Sequence, residues 1–177
     1  MAKKLIIKTA DFSVNGLTNI NGVSVVNAFS YSAKGFTKAS TTTQNSYFPS
    51  PSYQTPLVKN KTVYGVRVRP VSTGSFQVLK MTGYSVNPTV DSHNSATVEV
   101  IGTYQGVGGK ITTVIFDEPI VVPNTGDVCF GIRPYNTAMY FRDAKSPYLF
   151  YTAPGASTWK YTNNYGGGFE LLVELED

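Results

Sequence analysis

The stretch Ile111-Thr112-Thr113-Val114-Ile115-Phe116-Asp117-Glu118-Pro119-Ile120-Val121-Val122-Pro123-Asn124-Thr125-Gly126-Asp127-Val128-Cys129-Phe130-Gly131-Ile132-Arg133-Pro134-Tyr135 decides the fold. Two β-rich runs, Ile111–Phe116 and Val128–Ile132, flank a connector holding Pro119, Pro123 and Asn124-Thr125-Gly126-Asp127. Val114 and Phe116 alternate with Thr113 and Ile115, and Val128, Phe130 and Ile132 alternate with Cys129 and Gly131. Successive strand side chains point to opposite faces, so period-two patterning bounded by turn formers predicts paired, half-buried strands.

The same pattern continues on both sides. Tyr64, Val66 and Val68 alternate with Gly65, Arg67 and Arg69, and Ser72-Thr73-Gly74 leads into Phe76–Met81, which predicts a hairpin. Thr97–Thr103, Ala138–Arg142 and Tyr148–Thr152 read as further strands, and Gly106, Gly108 and Gly109 as a turn. Phe169, Leu171, Val173 and Leu175 alternate with Glu170 and Glu174, predicting a last strand with an apolar core face and an acidic solvent face. Leu5–Lys8 is a short strand, and Val23–Val26 and Ala28–Tyr31 are weaker ones. Thr37–Pro56 is polar and broken by Pro49, Pro51 and Pro56. It reads as a long ordered surface loop with Tyr47 and Phe48 exposed. No segment holds a period of 3.6 over three turns. The expectation is an all-β chain: an antiparallel β-sandwich of jelly-roll type, with about eight to ten strands and little helix. Residues 1–20 are set apart as an N-terminal segment. Residues 21–177 form a single domain with the long loop near 37–56.

Only 15% of the residues are charged, well below the usual quarter or so. Ser, Thr, Asn and Gly fill the surface instead, which suits a protein working outside cells or inside an assembly. Lys3, Lys4 and Lys8 sit at one end and Glu170, Glu174, Glu176 and Asp177 at the other. No dense basic tract with interleaved aromatics occurs, so no nucleic-acid partner is expected. One cysteine, Cys129, leaves no internal disulfide framework or multi-cysteine zinc site, and inside a strand it reads as a small apolar residue. The apolar run after Lys3-Lys4 is too short for a signal peptide, and no stretch approaches the roughly 20 apolar residues of a membrane span.

Catalytic signals are sparse. His93 is the sole histidine and lies in a turn-rich run without a nucleophile motif such as G-x-S-x-G. A solvated loop histidine is expected, and a hydrolase built on His93 ranks third among the functional readings. Asp117, Glu118, Asp127 and Asp143 are the carboxylates from which a calcium site could be drawn. None falls in a spaced ligand series, and Asp127 after Gly126 is ordinary turn chemistry. No catalytic residue, metal or cofactor is expected. Gly166-Gly167-Gly168 precedes a strand rather than a helix and reads as a turn, not a phosphate cradle. The richest feature is an aromatic set: Tyr135, Tyr148, Tyr151, Trp159, Tyr161 and Tyr165, with Tyr140 among them. Such rings stack on sugars, anchor protein contacts or complete a core.

Two pieces carry a resemblance. Lys3–Leu17 (K-K-L-I-I-K-T-A-D-F-S-V-N-G-L) resembles the N-terminus of structural proteins from tailed phages of gut bacteria, including the crAss-like group. Gly65–Lys80 and Thr112–Asp127 resemble jelly-roll modules of carbohydrate-binding domains and phage fibre proteins. The resemblance implies a non-enzymatic virion structural protein, such as a head decoration, fibre or tail component, assembled in the host cytoplasm as a homo-oligomer with other virion proteins. The candidate docking segment is Lys3, Lys4, Leu5, Ile7 and Phe12, added as a strand on a neighbouring subunit or tucked under it. The alternative is a carbohydrate-binding module or phage receptor-binding domain that grips a cell-surface glycan through the aromatic set.

Overall fold

The structure, a computed structural model, describes residues 38–39, 44–49, 54–55, 58–84, 96–125, 127–141, 149–154, 156, 159–162 and 169–173. Among these, eleven strands occur: β1 (Lys38–Ala39), β2 (Ser46–Pro49), β3 (Thr62–Val68), β4 (Gly74–Thr82), β5 (Thr97–Gly106), β6 (Thr112–Val121), β7 (Val128–Pro134), β8 (Tyr140–Phe141), β9 (Leu149–Thr152), β10 (Lys160–Thr162) and β11 (Phe169–Val173). Helical backbone appears only at Gln54, Thr55 and Val58 among the described residues.

The pairing is nested. β4 pairs with β5, β3 with β6, β2 with β7 and β1 with β8, all antiparallel. A long antiparallel ribbon rolled over on itself gives this order, which is the jelly roll. Rolling puts alternate rungs in opposite layers. One layer is a six-stranded sheet ordered β10-β9-β2-β7-β4-β5 and the other a three-stranded sheet ordered β11-β3-β6. β8 joins the second layer through the Pro70↔Met139 bridge. β9 and β10 fall between β8 and β11 in sequence and extend the first layer beyond β2.

The main core lies between the layers. Val66, Val68, Val114, Phe116 and Leu171 from one side meet Phe76, Val78, Phe130 and Ile132 from the other. Fully burying one such side chain is worth about 1.5–3 kcal/mol. A second cluster covers the outer face of the six-stranded sheet: Phe48, Leu79, Met81, Cys129, Phe150, Tyr84 and Trp159. At that place the sheet is buried on both faces, so β2 and β4 show no clean alternation.

Four expectations need correction. The runs Ile111–Phe116 and Val128–Ile132 are strands β6 and β7, but they lie in different sheets and do not pair. The Ser72-Thr73-Gly74 turn likewise carries the chain from one layer to the other, and β4 forms its hairpin with β5. The surface loop proposed near 37–56 contains β1 and β2, and Tyr47 and Phe48 are buried in opposite apolar clusters. β2 is four residues long, holds a proline and is covered on both sides, so it offers no periodic signal. Glu170 on the last strand is 6% exposed rather than solvated, with its carboxylate 2.9 Å from the Arg67 guanidinium.

Candidate functional site

One end of the sandwich is built from the β3–β4 turn (70–73), the β5–β6 turn (107–111) and the β7–β8 connection (135–139). Side chains and backbone bind the three together. The buried Thr137 hydroxyl donates to the Ser72 carbonyl at 2.7 Å and accepts from the Ser72 N–H at 3.2 Å. The Asn136 side-chain oxygen accepts from both the N–H and the hydroxyl of Ser75. The Gly108 N–H donates to the Thr73 hydroxyl at 3.1 Å, and the Gly109 N–H to the Pro70 carbonyl at 2.8 Å. Gly109 has a φ of +72°, the left-handed region in which a side chain is strained. Arg69 closes the set: its Nε donates to the Gly109 carbonyl at 2.9 Å, and its guanidinium sits 4.7 Å from the centre of the Tyr140 ring. A fourth segment joins here, because the Gln44 N–H donates to the Pro134 carbonyl at 2.6 Å.

Tyr135 projects from this end, 56% exposed, while its own N–H is held by the Ser75 carbonyl at 3.0 Å. Val107 on the neighbouring turn is 52% exposed. Turn residues 70–73, 107–110 and 135–138 include Lys110 and no carboxylate. Just inside, Arg133 on β7 reaches the Ser46 hydroxyl at 2.8 Å through Nη2 and the Gln77 side-chain oxygen at 3.1 Å through Nη1. Burial lowers its pKa from the ordinary arginine value. Among the described residues no carboxylate pairs with it. The end is therefore a stiff, mildly cationic surface with one open aromatic ring. Among the described residues it holds no nucleophile–base pair.

The aromatic set is not brought together. Trp159 is 6% exposed and packs edge-on against Phe48, with centroids 5.6 Å apart, over the outer face of the six-stranded sheet. Its indole fills a core, so it does not offer the open stacking face that the glycan reading asked of it. Tyr151 is half-buried on β9, 6.0 Å from the Tyr47 ring. Tyr161 lies in β10 with its backbone opposite Phe150. Tyr148 and Tyr165 lie outside the described residues, as do His93, Asp143 and the docking residues Lys3, Lys4, Leu5, Ile7 and Phe12. Asp127 is 3.6 Å from the Lys59 ammonium, and no three His, Cys, Asp or Glu side chains converge among the described residues. Cys129 is fully buried, and burial pushes its thiol pKa well up, so it is the small apolar residue expected.

Sequence reasoning missed a buried polar pair at the other end. Gln54, fully buried, donates Nε2–H to the Phe130 carbonyl at 2.9 Å, and its Oε1 accepts from the Phe130 N–H. Thr55 shares a short hydrogen bond with the Tyr84 hydroxyl. The only available signal was a Gln-Thr pair between two prolines. No protein-family profile matches the sequence, and no curated protein matches it.

Proposed function

We propose that this chain is a non-enzymatic structural protein of a virion, acting through protein–protein contacts made by the cross-tied end, with Tyr135 as the anchor. One observation carries the reading: an exposed aromatic ring, Tyr135, stands on turns that hydrogen bonds already hold in place. An ordered anchor loses little conformational entropy on docking, and tyrosine buries a large area with few rotatable bonds. The cations Lys110 and Arg133 favour a partner surface bearing carboxylates. Copies of the chain are the first partners to test, because symmetric self-association is the commonest assembly mode.

Sedimentation velocity on the full chain and on Tyr135→Asp tests this. Wild type should form concentration-dependent oligomers that the substitution shifts toward monomer. A wild type that is monomeric throughout, indistinguishable from the variant, would remove self-contact through this end. The carbohydrate reading keeps Tyr135 as an open ring and loses Trp159, which is packed away.

A further inference from the structure

The outer face of the six-stranded sheet is divided. Toward the Gln54 end, Leu79, Phe48 and Phe150 belong to the apolar cluster that covers it. One row nearer the turns the chemistry changes. The register sets Thr103 beside Gln77, Gln77 beside Arg133, and Ser46 beside Thr152. The Arg133 guanidinium joins the two halves of this row, since it touches both Gln77 and Ser46. The row therefore crosses five strands in the order Thr103, Gln77, Arg133, Ser46, Thr152. At about 4.8 Å between strands it is about 19 Å long. The next row holds Gln105 opposite Ser75, with the Tyr135 backbone bonded to Ser75 on the other side. Apart from Arg133 and Tyr135, both rows consist of hydroxyls and carboxamides, and neither holds a carboxylate.

Arg133 has hydrogen-bonding capacity left over. A guanidinium carries five N–H bonds. Nε and Nη2 donate to the Ser46 hydroxyl at 3.0 and 2.8 Å, and Nη1 donates to the Gln77 side-chain oxygen at 3.1 Å. Ser46 on β2 and Gln77 on β4 flank β7 from opposite sides, so these bonds take the two lateral edges of the group. One N–H on each Nη remains, and the two point in parallel from its tip. Such a fork matches the two oxygens of a carboxylate. Beside it, the Gln77 Nε2 and the side chains of Thr103 and Gln105 make no hydrogen bond with any described residue, and Thr103 and Gln105 are exposed.

We propose that these two rows bind an acidic saccharide, with its carboxylate on the Arg133 fork, its hydroxyls on Gln77, Thr103 and Gln105, and the C–H face of a ring against Tyr135. Two residues along a strand span about 6.6 Å, so Arg133 and Tyr135 stand about one sugar ring apart. The lining favours a polyhydroxylated ligand over a protein. Protein contacts centre on an apolar core, and Tyr135 is the one such group in these rows. Amides and hydroxyls gain a bond from each sugar hydroxyl and are left unpaired against an apolar ligand. The site goes beyond the contact role of the turns and holds whether or not copies associate there.

Amide chemical-shift titration of the full chain tests the site, with glucuronate and N-acetylneuraminate as acidic probes and glucose and acetate as controls. At least one acidic sugar should saturate it at millimolar concentrations, moving Gln77, Thr103, Gln105, Arg133 and Tyr135 but not Lys59 or Tyr84 at the opposite end. Glucose lacks the carboxylate and acetate the hydroxyls, so each should bind about tenfold more weakly. Arg133→Lys keeps the charge but loses the fork and should weaken the acidic sugar by about tenfold. No shift with either acid, glucose binding as tightly, or undiminished binding by Arg133→Lys would overturn the assignment. Acetate binding as tightly as the sugar acids would overturn it too, in favour of a protein carboxylate. Should Arg133→Lys fail to fold, the wild-type shift map decides, and shifts lying elsewhere would overturn the site. Oligomers of a chain that binds neither acid would remove this site and leave the contact reading standing.

Discussion

Gln54 acts as a rung of the ladder that proline removes, and its loss should be costly. β2 meets β7 at Tyr47↔Ile132. Two residues further along each strand, Pro49 comes level with Phe130, but proline has no N–H to give. The Phe130 N–H and carbonyl instead take the Gln54 carboxamide, whose oxygen accepts from the one and whose Nε2–H donates to the other. Gln54→Ala orphans both backbone groups in a fully buried place. At about 1–2 kcal/mol for each unsatisfied group, the loss is about 2–4 kcal/mol. With a urea slope of about 2 kcal/mol/M, the midpoint should fall by about 1–2 M at constant slope. Gln54→Glu sharpens the test. A protonated carboxyl can donate to the Phe130 carbonyl and accept from its N–H, while a carboxylate repels that carbonyl. The introduced group should have a folded pKa above its unfolded value of about 4.3. Its stabilising effect is then complete below the unfolded pKa and lost as pH rises through the folded one. Gln54→Glu should therefore approach wild type near pH 4 and fall toward Gln54→Ala near pH 8. A Gln54→Ala midpoint within about 0.2 M of wild type, or a Gln54→Glu deficit independent of pH, would refute the ladder-rung argument.

Three further outcomes follow from buried contacts. Arg67→Met strands the Glu170 carboxylate and should cost about 3 kcal/mol at pH 7 by urea denaturation. Burial already raises the Glu170 pKa against the pull of Arg67, so without the cation it rises further, and the deficit should shrink as pH falls toward 4. Gly131→Ala would press a Cβ onto the Tyr47 carbonyl oxygen and bring it to 2.5 Å from the Phe48 ring. Thermal unfolding should show a loss of about 1–3 kcal/mol, with the β2–β7 contact disturbed in near-ultraviolet circular dichroism. Burial, ahead of the charges of Cys129 and Asp127, raises the Tyr84 pKa far above the ordinary tyrosine value. The stability contributed by the neutral phenol is complete below about pH 10 and lost at higher pH. Tyr84→Phe should therefore flatten the alkaline limb of the Tm-against-pH curve, at the cost of the Thr55 hydrogen bond near neutrality.

The sequence disclosed strands better than their neighbours. Tyr64–Val68, Val128–Ile132 and Phe169–Val173 announced themselves because each sets alternate residues against the main core. Partners stayed hidden, because adjacent strands in a rolled ribbon often belong to opposite layers. Short turns such as Ser72-Thr73-Gly74 and Gly106–Gly109 look the same whether they close a hairpin or cross between sheets. β2 was illegible for a different reason. Ser46-Tyr47-Phe48-Pro49 is buried on both faces, and its hydrogen bonding is completed by a side chain, Gln54, outside the strand. Glu170 was read as solvent-facing, and Trp159 was left open between contact and core, because chemical type predicts exposure only on average. A second apolar layer over the six-stranded sheet covers one of them, and Arg67 accompanies the other. Of the candidate site, Tyr135 alone was legible. The polar ties of Thr137, Asn136 and Thr73 join turns far apart in sequence, and no local pattern marks them.

The two ends of the sandwich are held by different means, and the difference bears on where a partner can dock. At the Gln54 end, polar groups turn inward: Gln54, Thr55 and Tyr84 spend their hydrogen bonds on Phe130, Val128 and one another. At the Tyr135 end the ties run sideways between turns, through Thr137 to Ser72, Asn136 to Ser75 and Thr73 to Gly108. Sideways ties fix the turns and leave their outer surface available. A partner that pressed on the Gln54 end would have to compete with bonds that hold the ladder. A partner at the Tyr135 end meets an aromatic ring, a valine and a lysine already in place, and binding there breaks no bond on which the fold depends. The variants that weaken folding and those that weaken assembly should accordingly separate, with Gln54→Ala in the first group and Tyr135→Asp in the second. A loss of stability in Tyr135→Asp as large as that in Gln54→Ala would show that the two ends do not divide the work in this way.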